Sequence, residues 1–180
     1  MSEAALAMNL AILFFAIAVL SVMAVYGLFT LVGAVSFVPY VPSGRSKSRI
    51  MLDLASIGEG ARIAEIGSGD GLLCLMAAKR GATSLGIEIN PVLVGISKIR
   101  ARFWKVDRRC SFVFADMWKF KLPPETDAVF VYGWPDFMEK LWEKLQGELP
   151  AGTRIVSHAF MFPGREPERS SGNVRLYRLG

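Results

Sequence analysis

Charge is missing from the first quarter of this 180-residue chain. No Asp, Glu, Lys or Arg occurs from Ala4 to Gly44. Histidine occurs once, as His158, and cysteine twice, as Cys74 and Cys110. With so few soft ligands, and no His, Cys, Asp or Glu cluster at ligand spacing, no metal site is expected. The cysteines form no CxxC pair and sit among apolar residues, so they read as reduced core residues rather than a redox motif. No GK[ST] follows a glycine-rich stretch, which excludes a P-loop, and no GxGxxG occurs, which removes the dinucleotide fingerprint. No aromatic-interleaved basic motif or RNA-reading module is found, so nucleic acid is not an expected partner.

The uncharged stretch is apolar as well. Within it, "NLAILFFAIAVLSVMAVYGLFTLVGAV" raises the mean hydropathy of the whole chain to +0.37. About 20 such residues cross a bilayer core, so Met8 to Val32 is long enough for a membrane helix. A signal peptide would carry a basic leader, but the one early charged side chain is Glu3. Residues 1–35 are therefore expected to be an anchor in the lipid bilayer. All 21 basic residues lie beyond Gly44, led by Arg45, Lys47 and Arg49. The positive-inside rule then places the N-terminus outside and residues 45–180 in the cytoplasm, or in the matrix of a mitochondrion.

Residues 36–60 read as a linker, "SFVPYVPSGRSKS", followed by a short amphipathic helix with Ile50, Leu54 and Ile57 in register and Gly58 and Gly60 as stops. Residues 61–180 alternate strands and helices. "ARIAEI", "SLGIEI", "SFVFAD", "DAVFVYG" and "GTRIVSHAF" read as strands, and "VRLYRL" as a closing strand. "LLCLMAAKR", "NPVLVGISKIRARFWK" and "PDFMEKLWEKLQ" read as helices, the second opened by an Asn cap and Pro at its first position. Val92, Ile96, Ile99 and Phe103 give that helix its periodicity. The segment "PGREPERSSGN" reads as the most mobile loop. This pattern predicts an α/β fold: a doubly wound, mostly parallel, Rossmann-like sheet, preceded by one N-terminal transmembrane helix.

Ligands of such sheets bind beyond the carboxyl ends of the strands. The first strand exits at Glu65-Ile66-Gly67-Ser68-Gly69-Asp70-Gly71, the second at Glu88-Ile89, the third at Asp116-Met117 and the fourth at Tyr132-Gly133-Trp134-Pro135. Alternate glycines let a ligand approach the backbone closely. Glu65 suits a cationic amino group, and Glu88 suits a ribose diol. A ligand with an amino acid end, a ribose and a base, but no phosphate, is S-adenosyl-L-methionine. Glu65, Gly67, Ser68, Gly69, Asp70, Gly71, Glu88, Ile89, Asp116 and Met117 form its candidate site. Each residue alone has a plainer reading, as a strand end or loop cap; it is their concordance at one sheet edge that makes a site.

"EIGSGDG", "GIEIN" and "FAD" resemble the class I, seven-strand S-adenosylmethionine-dependent methyltransferases. The span followed by "VPYVPS", "GIEINPVLV", "VFVYGWP" and "GTRIVSHAF" narrows the resemblance. It points to the small single-pass protein-lysine methyltransferases that modify the c-ring protein of ATP synthase and the adenine nucleotide carrier, and their prokaryotic relatives. The resemblance implies a methyltransferase whose substrate is a membrane protein with an accessible lysine. Such a lysine must lose its proton to attack, which costs roughly 4.6 kcal/mol at pH 7 from a pKa of about 10.4. An apolar, aromatic pocket lowers that cost. Tyr132, Trp134 and Pro135 are the candidate walls, and Tyr40 a candidate lid, though Tyr40 also fits a membrane-interface tyrosine. His158 reads more readily as a structural histidine than as a base. The rival expectations are a membrane-anchored methyltransferase for a lipid or small molecule, and a non-catalytic module that binds a membrane partner.

Overall fold

A computed structural model describes residues 3–35, 44–133 and 135–180. The chain divides into two compact units, Met1–Tyr40 and Val41–Gly180.

The first unit is one helix, α1 (Glu3–Val35). Its 33 residues extend about 50 Å at 1.5 Å per residue, against about 30 Å for a hydrocarbon core. Its apolar side chains point outward on all sides rather than along one stripe, from Met8 and Phe14 to Tyr26. Glu3–Leu28 is long and apolar enough to cross a membrane. The linker with Tyr40 lies outside the described residues.

The second unit opens with α2 (Arg45–Leu54) and then alternates: β1 (Arg62–Ile66), α3 (Leu72–Lys79), β2 (Thr83–Glu88), α4 (Pro91–Phe103), β3 (Cys110–Phe114) and β4 (Ala128–Tyr132). A 3-10 turn at Pro135–Phe137 leads into α5 (Met138–Glu148), then β5 (Arg154–His158), β6 (Arg169–Ser171) and β7 (Val174–Arg178). The seven strands lie in the order β3-β2-β1-β4-β5-β7-β6. β1 to β5 pair in parallel, and β7 runs antiparallel between β5 and β6. The chain moves outward from β1 through β2 to β3, then returns to β4 on the other side of β1. That reversal puts the ligand crevice at the β1 and β4 exits.

Both faces of the sheet are covered, which explains why β4 is apolar without alternation. Ala128 and Phe130 pack with α2 and α3, while Val129 and Val131 pack with α5. Between β3 and β4 no helix forms. Residues 115–127 instead run across the α5 face, where Leu122 is buried and its N–H donates to Glu148 at 2.9 Å. Lys144 reaches Phe120 O at 2.8 Å and pairs with Glu148, so α5 holds this loop in place.

Several local expectations are corrected. α2 ends at Leu54, ahead of Gly58 and Gly60, because Ser56 takes a left-handed backbone at φ 52°. "PDF" winds as a 3-10 turn rather than the first turn of α5. The loop expected to be mobile holds β6, and a turn at Gly172 (φ 57°) joins it to β7. In α4 the buried face is Leu93, Val94, Ser97 and Ala101, while Ile96, Ile99 and Phe103 are exposed. The periodic stripe is therefore the outer face of this helix. Both cysteines are buried and free, as expected.

Candidate methyl-donor site

The β1 exit is made by backbone conformation. Gly67, Gly69 and Gly71 have φ of 71°, 54° and 75°, the left-handed region that only glycine enters readily. That is why the three lie at alternate positions: each turns the chain once between the strand and α3. Gly71 is also packed tightly, since a Cβ there would come within 2.7 Å of the Phe112 ring and 2.8 Å of Ser97 Oγ. The turn is tied to the neighbouring strand. Gly67 N–H and Ser68 N–H donate to Ile87 O at 2.9 and 3.1 Å.

α4 fastens the same turn from the other side. Ser97 Oγ donates to Gly69 O at 3.1 Å. Arg100 donates to Asp70 O at 2.6 Å and pairs with the Asp70 carboxylate. Asp70 also accepts from Leu72 N–H at 3.3 Å, at the start of α3. Asp70 is thus a fastener of the loop. Ser97 did not stand out in the sequence, because nothing local marks a contact 28 positions away.

Glu88 ends β2 with its carboxylate buried. Oε2 accepts from Gly69 N–H at 2.9 Å and Oε1 from Asn90 N–H at 2.8 Å. A carboxylate has about four acceptor directions, so two remain. They fit a vicinal diol, and the two backbone bonds hold the carboxylate in one orientation for it. Ile89, the next residue, is exposed beside it.

Glu65 lies in β1, half-buried, with no cation paired to it among the described residues. Its nearest polar partner is Cys74 Sγ–H, which donates to Oε2 at 3.2 Å. Burial pushes its pKa up to about 8, opposed in part by the Cys74 hydrogen bonds and reinforced by the negative charges of Asp70 and Glu88. A half-buried carboxyl lacking its counter-charge fits a ligand that brings an ammonium. Burial raises the Cys74 thiol as well, followed by the Glu65 charge, so Cys74 stays a protonated donor.

Ser68 is buried with no hydrogen-bond partner for Oγ among the described residues. At the β3 exit, Asp116 accepts from Trp118 N–H at 2.9 Å, and Met117 is half-buried beside it. One Asp116 oxygen is committed to that turn.

The β4 and β5 exits are aromatic. Tyr132 and His158 are register partners, with ring centroids 4.9 Å apart and planes tilted by 31°. Phe160 meets Tyr132 edge-on at 6.4 Å. The chain reaches Phe160 through Ala159, a non-glycine residue at φ 73°, with Ser157 Oγ donating to Phe160 O at 2.8 Å. Burial holds the His158 pKa below its ordinary value, helped by the charges of Lys47 and Arg175. Its Nδ1 is buried without a partner among the described residues. Pro135 is exposed at the head of the 3-10 turn, and Trp134 lies outside the described residues. His158 and Phe160 therefore join the site from β5. The signal was present in "SHAF", an aromatic pair at a strand exit, but only the register with Tyr132 gives it meaning.

The sequence matches the family described as the ANTKMT methyltransferase domain over residues 65–169. The chain belongs to this family. It is 34% identical to the lysine N-methyltransferase of Xenopus laevis that is named for the c-ring protein of ATP synthase, over 79% of this chain and 64% of that one. The chain thus spans less than two thirds of that relative's length. It is 31% identical to a protein-lysine N-methyltransferase of Saccharolobus islandicus, over 81% of this chain and 96% of that one. The fold superposes on an RNA methyltransferase from Salinibacter ruber in complex with S-adenosyl-L-homocysteine, with a TM-score of 0.72 and 31% identity. That match covers 77% of this chain and 92% of the other. The fold is that of the class I methyltransferases, and the cofactor of the family's chemistry is S-adenosylmethionine.

Proposed function

We propose that this chain is a membrane-anchored protein-lysine N-methyltransferase whose substrate is a membrane protein with an accessible lysine. The observation that carries the reading is the strand-exit edge, where a glycine turn and two carboxylates at β1 and β2 share one edge of the sheet with an aromatic cluster at β4 and β5. The names of the Xenopus and Saccharolobus relatives support lysine as the acceptor. α1 supports an anchor by its length and composition. The basic residues Arg45, Lys47 and Arg49 beyond it support an outside N-terminus, with the second unit in the cytoplasm or matrix.

When bound, S-adenosylmethionine supplies an electrophilic methyl group on a sulfonium. Glu65 takes its amino group and Glu88 its ribose hydroxyls. The Gly67–Gly71 backbone, Ser68 included, would lie against its amino acid end. Ile89, Asp116 and Met117 border its base. For the acceptor, Tyr132, His158 and Phe160 form a wall that excludes water and disfavours the ammonium form of lysine. His158, held neutral by its surroundings, adds no competing positive charge there. Pro135, at the head of the 3-10 turn, continues the wall. Alignment of two reactants is the main demand of an in-line transfer, and the loop fastened by Ser97 and Arg100 meets it from the donor side.

A second reading has one specific observation in its favour. The Salinibacter ruber structure is that of an RNA methyltransferase, and this chain covers nearly all of it. A single experiment separates the two. The full chain in vesicles is incubated with membrane protein, lipid and RNA fractions and a methyl-labelled donor. Label on lysine side chains in the protein fraction supports the proposal. Label confined to RNA, or to solvent-extractable lipid or quinone, overturns it. No label in any fraction, from a chain that binds S-adenosylhomocysteine, also overturns it and favours a non-catalytic partner-binding role.

A further inference from the structure

The outer face of α4 carries apolar side chains that neither the core nor the candidate site uses. Ile99 is 67% and Phe103 84% exposed, and Ile96 is exposed on the same face. The three lie at i, i+3 and i+7, one line along the side of the helix turned away from the sheet. Isolated apolar side chains on a surface need no explanation, but a line of three ending in a nearly free phenylalanine does.

Its rim is basic. Lys98 and Arg102 flank the line on α4, and Lys105 and Arg108 follow where the helix ends. None of the four makes an ion pair among the described residues. Beyond Phe103, Lys79, Lys105, Arg108 and Arg109 line an open groove, with Asp107 its one acidic residue. An amphipathic helix with Ile and Phe on one strip and Lys and Arg beside it has the composition of an interfacial helix.

Continuity with the tether adds a second observation. Arg45, the first residue of α2, lies over the Trp104 ring at 5.8 Å from its centroid. The domain therefore receives its tether next to the C-terminal end of α4. Residues 36–44, which join α1 to α2, reach about 30 Å at most when fully extended.

We infer that the Ile96–Ile99–Phe103 face of α4, with Lys98, Arg102, Lys105 and Arg108, is a docking surface for an anionic lipid bilayer. The inference rests on the membrane-bound reading above and goes beyond the anchor. Isoleucine and phenylalanine enter the headgroup–acyl boundary while the basic side chains meet lipid phosphates. Each such charge near an anionic surface raises occupancy about fivefold. A second copy fits this face poorly, because its own basic rim would meet a rim of the same sign. RNA fits poorly, because isoleucine offers bases no stacking surface. Docking by α4 holds the domain against the bilayer beside its tether, and so confines the strand-exit edge to substrates at membrane level.

The test uses the full chain reconstituted in vesicles of phosphatidylcholine with a minority of phosphatidylserine. An environment-sensitive fluorophore is attached at I99C or, as a control, at E143C on the exposed side of α5. The native Cys74 and Cys110 are buried, which directs labelling to the new thiol. Nitroxide-bearing lipids quench I99C several-fold more than E143C, and K98E/R102E in the I99C background loses most of that difference. Equal quenching at the two positions overturns the inference. So does shielding of I99C from aqueous iodide without lipid quenching, because a protein, a second copy or added RNA then covers the face. Alkaline carbonate extraction of the same vesicles reads the anchor separately. Release of the chain overturns the anchor of the proposed function, while quenching at I99C before extraction still supports the docking face.

Discussion

The two halves of the site are built from different materials. The β1 and β2 exits are shaped by backbone: three left-handed glycines, and two N–H groups that clamp the Glu88 carboxylate. The β4 and β5 exits are shaped by side chains, the rings of Tyr132, His158 and Phe160. The first half is stiff because α4, β2 and α3 all bond to one short turn. The second is held by ring packing and by a strained turn at Ala159. A donor that never changes suits a fixed cradle. An acceptor presented by another macromolecule suits a wall whose side chains can be exchanged without disturbing the cradle.

The sharpest break of this comparison is Glu88→Ala. It strands the buried N–H groups of Gly69 and Asn90 as well as the proposed ribose contact. The loss is on the order of 3 kcal/mol, more than about a hundredfold in affinity for S-adenosylhomocysteine. Calorimetric titration of the full chain measures it; affinity within tenfold of wild type would remove Glu88 from the cofactor site. Tyr132→Ala acts on the other half. It lowers the methyl-transfer rate by about 10- to 100-fold through a misplaced acceptor, while cofactor affinity stays within about twofold. Equal losses in both readouts would merge the halves into one. Tyr132→Phe, which keeps the ring, recovers most of the rate if the wall acts by packing.

The halves also differ in pH response. The Glu65 carboxyl, with its pKa near 8, is mostly protonated at neutral pH, and an incoming ammonium favours its ionised form. Cofactor binding then releases a proton, and affinity rises with pH up to about 8, by at most about tenfold per unit. Titration in buffers of different ionisation heat reads the released proton; its absence would place the ammonium elsewhere. In the absence of cofactor the sign is reversed for stability. The native carboxyl holds its proton above the unfolded value of 4.5, so this group makes the fold less stable as pH rises from 4.5 to 8. His158 does the opposite. Its native pKa lies below 6.5, so its contribution is lost as pH falls through that range. The smallest expected effect is that of Gly71→Ala on stability. A Cβ at φ 75° against Phe112 costs about 1 to 3 kcal/mol, a fall of a few degrees in a thermal melt.

What the sequence made legible follows the same division. The glycine turn, Glu65 and Glu88 could be read because a backbone conformation demands particular residues within one short stretch. The mostly parallel sheet followed from the alternation of elements, and β7 from its apolar run, whereas the strand order is set by long-range pairing. The acceptor wall was half legible: Tyr132 stood at a strand exit, but His158 joins it only through the β4–β5 register. The fastener Ser97 left no local mark. α4 misled in an instructive way. Its apolar stripe has perfect helical spacing, yet the small residues Ser97 and Ala101 face the sheet, where close approach matters more than bulk.

The antiparallel strand β7 has a consequence for how this chain is made. Its pairing with β5 comes late, and its Val174 and Leu176 pack against Met51 and Leu52 near the start of the same unit. Synthesis must therefore pass residue 178 before β5 gains its second neighbour and α2 its cover. Until then a nascent chain carries an open parallel sheet, with the edge of β5 bare. With an apolar helix already emerged ahead of it, that half-made sheet waits beside whatever surface has captured α1. A chain cut short in the loop before β6 keeps that edge bare, and greater protease sensitivity than the full chain is its signature.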